Sequence, residues 1–184
     1  MTTTTDTATT TGAQAGNIGH GATRHAYDVG LLLLRVMVGL AMAAHGSQKL
    51  FGFFGGGGIH GTGEFFTHSG YPAGQAMAVV AGLIETFGGL ALVLGLLTPL
   101  AAAAIVGDML NAVSVKIGGG FFAPSGAEYE LLLTVAAASI AFTGPGRYAV
   151  DRFLPVLRNH RLAYGLLTVA VALIVGVVML LLRK

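Results

Sequence analysis

The chain has 184 residues, of which 54% are hydrophobic and 10% are charged, and its mean hydropathy is +0.75. Soluble domains carry about 25% charged residues, so this composition excludes an ordinary soluble domain and intrinsic disorder as the main state. The absence of cysteine excludes disulfides and thiol chemistry, and the net charge of +2 comes from basic residues that flank apolar stretches, which argues against a nucleic acid partner.

Five apolar stretches follow one another along the chain, over about 29–49, 74–97, 100–115, 129–142 and 162–182. Most approach the roughly 20 residues that a helix needs to cross a bilayer, and they lack the alternation of β-barrel strands. Thr98-Pro99 separates the second stretch from the third, which predicts a tight antiparallel hairpin. The sequence therefore predicts an all-α membrane protein, with a four-helix transmembrane bundle over residues 27–160 and an additional C-terminal transmembrane helix over residues 161–184.

The regions outside these stretches indicate how the chain is oriented. Residues 1–26 are rich in Thr, Gly and Ala, so we expect a flexible tail. A signal peptide ending at Ala41-Met42-Ala43 is the alternative, but Arg35 within its apolar part argues against it. The link over 144–161 carries four arginines against one aspartate, and the positive-inside rule places it in the cytoplasm. With five spans, the N-terminus is then cytoplasmic and the C-terminus outside.

Four of the apolar stretches contain an ionisable side chain, namely Arg35, Glu85, Asp108 and Glu130. Such groups are costly in a membrane, so we expect them to face the interior of the bundle. At a rise of about 1.5 Å per residue, Arg35, Asp108 and Glu85 lie about 9, 13 and 18 Å from the cytoplasmic side. These depths predict an ion cluster of Arg35 with Asp108, Glu85 or both. The cluster either fixes the helix register or has a proton or quinone role.

A second group of polar side chains is expected at the outer ends of the spans and consists of His45, Lys49, Lys116, Glu128 and Glu130. His45 and Lys49 are four residues apart and therefore share a helix face. A mouth with these donors suits a quinone carbonyl or a small oxyanion. The alternative is that the lysines extend to the interface and the carboxylates cap a helix N-terminus.

His60, Glu64 and His68 recur at four-residue spacing in the long Gly-rich link after the first span. These are metal-ligand types, but Gly61-Thr62-Gly63 disfavours a helix, so we expect a polar loop and no metal site. Only His45 lies in or at a span, which argues against an internal haem with two histidine ligands. We therefore expect that this chain alone binds no cofactor, with a quinone or a lipid as the candidate ligand.

Several short motifs occur in order along the chain. They are Arg35, His45-Gly46-Ser47-Gln48-Lys49-Leu50-Phe51-Gly52, Glu85-Thr86-Phe87-Gly88-Gly89, Gly95 with Thr98-Pro99, Glu130, and Gly144-Pro145-Gly146-Arg147-Tyr148 with Asp151. In this set, which covers about residues 27–151, the chain resembles the DoxX family of small bacterial membrane proteins. The resemblance implies a four-helix bundle in the bacterial cytoplasmic membrane and an association with respiratory or sulfur-redox systems, including thiosulfate:quinone oxidoreductases.

The sequence is compatible with three functions. The first is an accessory or assembly subunit of a larger membrane electron-transfer complex, without catalytic activity of its own. The tail and the last helix fall outside the four-helix pattern, and in that case they would bind other subunits. The second is a subunit of a quinone-linked oxidoreductase of the thiosulfate:quinone type, with the quinone near His45 and Lys49. The third is a transporter of small solutes or protons that uses Glu85 and Asp108.

Overall fold

The computed structural model describes residues 9–155, 157 and 162–183, and for residues 9–22 it describes the backbone alone. This part of the chain forms α1 (Thr9–Phe51), α2 (Gly58–His68), α3 (Gly74–Leu94), α4 (Thr98–Lys116), α5 (Glu128–Thr143) and α6 (Leu162–Leu182). Four of these helices are long and apolar enough to cross a membrane: α1 from Thr23 onward, α3, α4 and α6. Helix α5 is shorter, with 16 residues. The predicted all-α membrane architecture is confirmed.

Helix α1 is much longer than the first apolar stretch. The structure differs from the predicted flexible tail, because residues 9–26 continue the helix toward the N-terminus, while residues 1–8 of that tail lie outside the described residues. Once the apolar part of a helix has formed, each further residue adds a hydrogen bond without a new nucleation cost. No proline interrupts the chain before Pro72, so the helix can extend through residues of low helix propensity.

The link between α3 and α4 forms the predicted tight hairpin. Helix α3 ends at Gly95, whose φ of +67° is a left-handed conformation that suits glycine. The N–H of Leu96 donates to the carbonyl of Ala91 at 2.8 Å and completes the helix end. Pro99 lies in the first turn of α4, where its missing N–H leaves no helical hydrogen bond unmade.

Helix α1 packs closely on α3, and α4 lies at the centre of the remaining helices. The contact between α1 and α3 depends on Gly39 and Gly89, because a Cβ atom on either residue would lie 2.5 Å from the carbonyl oxygen of the other. Small residues of this kind let membrane helices approach closely. Helix α4 contacts α3, α5 and α6, and its fully buried side chains include Ala102, Ala103 and Ile105.

Helix α6 is part of the bundle. It packs on α4 and α5 through one stripe of buried residues, Gly165, Val169, Ala172 and Gly176. Beyond its C-terminal end, Arg183 donates from Nε to the carbonyl of Ser69 at 2.7 Å and from Nη1 to the side chain of Ser114 at 3.2 Å. One face of α6 therefore completes the fold, and binding of other subunits by the last helix stays a prediction.

Candidate functional site

Arg35 lies at the end of the bundle where the link between α5 and α6 is located. It is fully buried, and its guanidinium donates to the carbonyl oxygens of Pro145 at 2.5 Å and Tyr148 at 2.6 Å. The carboxylate of Asp151 is close enough to interact with it electrostatically. The predicted pairing of Arg35 with Glu85 or Asp108 is therefore wrong. Depth along a helix does not specify the neighbour, and here a link that is distant in sequence folds back to provide the acceptors.

Asp151 is the residue at this end that the sequence reasoning missed. It is fully buried, and its two carboxylate oxygens accept hydrogen bonds from the N–H groups of Leu97 at 2.6 Å and Thr98 at 2.8 Å. It therefore caps the N-terminus of α4, which has no capping side chain of its own. The available signal was its place after Gly144-Pro145-Gly146-Arg147-Tyr148 in the ordered set of motifs. We refer to Arg35 and Asp151 with these partners as the Arg35–Asp151 cluster.

A second cluster of charged side chains lies between α1, α3 and α4. Glu85 is 1% exposed, and the Nζ atom of Lys49 donates to its two carboxylate oxygens at 2.6 and 2.8 Å. The carboxyl of Asp108 is within hydrogen-bonding range of Glu85 and close enough to interact with Lys49. The structure thus brings Glu85 and Asp108 together, and the cation beside them is Lys49. We refer to these residues as the carboxyl-pair cluster.

The composition of the carboxyl-pair cluster limits its charge. Two ionised carboxyls and one ammonium group would leave a net negative charge inside the bundle. The cluster is neutral when the carboxyl groups of Glu85 and Asp108 share one proton, and a hydrogen bond between two carboxyl groups requires such a proton. The arrangement can therefore hold a proton and release it to a suitable acceptor.

The predicted outer mouth is only partly assembled. His45 contacts the hydroxyl of Tyr129 through Nε2 at 3.1 Å and the side-chain oxygen of Gln48 through Nδ1 at 3.0 Å. Tyr129, which the sequence reasoning did not select, is close enough to interact electrostatically with both Glu130 and Glu85. It therefore lies near both the mouth and the carboxyl-pair cluster, in which Lys49 is already engaged.

The remaining residues of the mouth form two separate contacts. Lys116 lies 2.8 Å from Glu130, and the second carboxylate oxygen of Glu130 is buried without a hydrogen-bond partner. Glu128 instead accepts a hydrogen bond from the N–H of Ala123 at 3.1 Å and so holds the loop before α5. Glu128 therefore has a local structural role in the loop, but it does not cap α5, whose N-terminus has no side-chain cap.

The link after α1 contains a helix where a loop was expected. His60, Glu64 and His68 belong to α2, and His60 lies 3.6 Å from Glu64 on the exposed surface. The glycines are tolerated because α2 packs on α3, with Gly63 buried against Gln75. Within the described residues, no group of three His, Cys, Asp or Glu side chains is placed to hold a metal ion.

A groove with a volume of about 300 Å³ lies between α3 and α6, with α4 as its floor. Its walls are almost entirely apolar, and Val80, Val171 and Val175 on its rim are half exposed, so it opens sideways toward lipid. Asp108 and Asn111 are the polar residues on its floor. Further lining residues are Met77, Ala81, Ile84, Ala104, Gly107 and Met179.

The groove and the carboxyl-pair cluster share Asp108. On the groove side, the side-chain oxygen of Asn111 accepts a hydrogen bond from the hydroxyl of Tyr71 at 3.1 Å, which fixes the amide. From Leu100 to Asn111 the floor extends about 16 Å along α4 at the helical rise. A molecule with a long apolar part can therefore enter from lipid and place a polar end at Asp108.

The fold and these interior charges define a multi-pass helical membrane protein. The model of the DoxX family matches residues 30–118, which include Arg35, Lys49, Glu85 and Asp108. Over 129 residues, 70% of this chain and 89% of the relative, the chain is 32% identical to the Bacillus subtilis protein "Putative oxidoreductase CatD". Over 136 residues, 67% of this chain and 80% of the relative, it is 31% identical to the "Uncharacterized membrane protein Rv3486" of Mycobacterium tuberculosis. No solved structure is significantly similar to it. The chain belongs to the DoxX family.

Proposed function

We propose that this chain is a membrane subunit of a bacterial electron-transfer complex and that it binds a quinone-class molecule in the groove between α3 and α6. The observation that carries this proposal is the position of Asp108, which lines the apolar groove and also belongs to the carboxyl-pair cluster. Quinone-class molecules join an apolar chain to a ring that exchanges protons when it is reduced or oxidised. The name of the relative from Bacillus subtilis is consistent with redox chemistry.

The groove replaces the outer mouth as the proposed quinone site. Lys49 donates two hydrogen bonds to Glu85, and both ring nitrogens of His45 contact Tyr129 or Gln48, so the mouth offers a ligand few free donors. In the groove, a protonated Asp108 donates to a quinone carbonyl, and an ionised Asp108 accepts a hydrogen bond from a quinol hydroxyl. The volume of about 300 Å³ suits a ring with the first part of its chain.

The proposed chemistry also determines which subunit exchanges electrons with the quinone. Interconversion of a quinone and a quinol moves two electrons and two protons. The described side chains of this subunit can exchange the protons, whereas an electron carrier of a partner subunit would exchange the electrons. On this proposal the chain is an accessory subunit that contributes a binding site and has no catalytic activity when isolated.

Occupancy of the groove can be measured directly. We expect the purified protein in lipid nanodiscs to retain a prenylquinone that is extracted and identified by mass spectrometry. Val171→Trp places an indole in the groove and should lower the retained quinone about tenfold or more, which corresponds to about 1.4 kcal/mol of binding free energy. Ile174→Trp is the matched control, since Ile174 is 64% exposed on α6 and does not line the groove.

Two results would contradict the quinone site. One is a wild-type protein that retains no quinone and binds none when a short-chain analogue is added. The other is equal retention by Val171→Trp and Ile174→Trp. Asp108→Asn provides a further readout, because the amide keeps the shape of the side chain but cannot ionise, so we expect binding with a reduced response to pH.

The outward face of α6 is the surface that we propose for a partner subunit. It contains the exposed side chains of Leu167, Ile174 and Leu181, and it lies outside the segment matched by the family model. Because the chain has no cysteine, a single Ile174→Cys variant gives one reactive position for crosslinking in native membranes. We expect an adduct with a second polypeptide from Ile174→Cys and none from Met37→Cys on α1. The reverse pattern would place the partner on α1.

The orientation predicted from the charged link is also part of the proposal. A cytoplasmic link between α5 and α6 places Ser125 on the outer side of the bacterial cytoplasmic membrane and Phe153 on the inner side. Both side chains are exposed, so Ser125→Cys should react with a membrane-impermeant maleimide in intact cells, and Phe153→Cys should react only after lysis. The opposite labelling pattern would show that the topology is the reverse of the proposed one. Arg158 and Arg161, which contribute to this prediction, lie outside the described residues.

A further inference from the structure

The carboxyl-pair cluster lies between two ends of the bundle that differ in chemistry. Arg35 and Lys49 are 14 residues apart on the inward face of α1, which separates them by about 21 Å along the helix. Arg35 belongs to one end, and Lys49 extends to Glu85 from the other end. A proton held by Glu85 and Asp108 thus faces a different set of side chains in each direction.

Toward the end where α1 and α4 terminate, the polar groups near the pair can both accept and donate a proton. Tyr129 is within electrostatic range of Glu85, and its hydroxyl contacts the imidazole of His45 at 3.1 Å. Tyr129 is also close to Glu130, whose second carboxylate oxygen is buried without a partner. The first oxygen of Glu130 contacts Lys116, whose side chain is 40% exposed, so water reaches this end of the series.

Toward the opposite end, the buried charged groups are held in structural hydrogen bonds. Arg35 is 0% exposed, holds two backbone carbonyls and keeps its charge at all ordinary pH values, so it cannot release a proton and take up another. Asp151 uses both oxygens to cap α4. A fixed cation inside a membrane protein also opposes the passage of protons.

We infer that the Glu85–Asp108 pair exchanges protons with water only at the Lys116–Glu130 end of the bundle, through Tyr129, His45 and Glu130. The inference deepens the proposed function, because it assigns the route by which protons of the quinone-class ligand leave. When a partner's electron carrier takes two electrons from a quinol, the two hydroxyl protons pass one at a time to Asp108 and Glu85 and then to water. The carboxyl groups return to their starting state, and the quinol has become a quinone.

The one-sided exchange belongs to this chain alone and can be tested without a quinone. Dicyclohexylcarbodiimide reacts with protonated carboxyls in apolar surroundings, so the labelling of Glu85 and Asp108, read by mass spectrometry, reports their protonation. The protein is reconstituted in vesicles of neutral lipid, and Ser125→Cys with an impermeant maleimide identifies the orientation. The pH is then set separately on the two sides of the membrane while labelling proceeds.

We expect the extent of labelling to depend on the pH on the Lys116–Glu130 side, with a change of up to about tenfold per pH unit. It should not depend on the pH on the Arg35 side. Glu130→Gln and Tyr129→Phe should weaken this dependence. Glu128→Gln is the matched control, since Glu128 bonds only the loop before α5 in the described contacts, and it should behave as wild type.

The inference would be overturned if labelling depends on the pH on the Arg35 side, on the pH on both sides equally, or on the pH of neither side. Equal behaviour of Glu130→Gln and Glu128→Gln would exclude Glu130 from the route. The quinone-retention experiment has a separate readout. A protein that shows one-sided labelling but retains no quinone would therefore refute the proposed function and leave the route standing.

Discussion

Replacement of Asp151 by alanine tests whether the Arg35–Asp151 cluster holds the fold together. The change removes the acceptor of two backbone hydrogen bonds at the start of α4, each worth about 1.5–3 kcal/mol when the acceptor is charged. It also removes the negative charge that interacts electrostatically with the buried guanidinium of Arg35. The two effects overlap, so we expect Asp151→Ala to lower the free energy of unfolding by about 3–5 kcal/mol.

The effect can be measured as a loss of thermal stability in detergent. For a chain of this size, about 1 kcal/mol corresponds to roughly 2–4 °C in Tm, so the midpoint of thermal aggregation followed by fluorescence-detected size-exclusion chromatography should fall by about 6–20 °C. Asp28→Ala is the control, because Asp28 bonds the N–H of Arg147 at 2.9 Å, and the Arg147 side chain is 71% exposed. We expect that variant to lose about 1 kcal/mol. Equal losses in both variants would refute the structural role assigned to Asp151.

Three further substitutions test the packing and the two clusters. Arg35→Ala should reduce the folded yield more than Arg35→Lys, because lysine keeps a cation at this position; equal yields would argue against a structural role for the charge. Gly89→Ala should reduce thermal stability by several degrees, because its Cβ meets backbone atoms of α1, whereas Gly30→Ala, with open space around it, should not; a stable Gly89→Ala protein would contradict the close contact. Lys49→Met should be destabilising alone and less so together with Glu85→Gln, and additive losses in this double-mutant cycle would argue against their coupling.

The spans and the α3–α4 hairpin could be predicted from the sequence because lipid imposes a minimum apolar length and Thr98-Pro99 interrupts the pattern. Helix α2 and the extension of α1 before Thr23 could not be predicted in this way. Their glycines and threonines have low helix propensity, and tertiary context overrides propensity. In α2 that context is α3, which buries Gly63 against Gln75. Such a contact is visible only once the packing of the two helices is known.

The interior charges could be predicted as a set but not as pairs. The hydrophobic length of a span and the helical rise give each charge a depth, and these depths predicted a cluster of Arg35 with Asp108, Glu85 or both. They do not determine the partner. Arg35 reaches a carbonyl 110 residues further along the chain, and Lys49, expected at the interface, extends inward to Glu85. Long flexible side chains can reach either way, so a one-dimensional depth leaves this choice open.

The construction of the groove sets an order of events during biogenesis. Its first wall and floor, α3 and α4, leave the ribosome well before its second wall, α6. A nascent chain that has inserted only α1–α5 presents the floor residues Ala104 and Gly107 directly to lipid and has no enclosed place for a ligand. On the proposed function, a hydrophobic ligand therefore binds only after α6 has been inserted, and a chain arrested before that point has no complete groove.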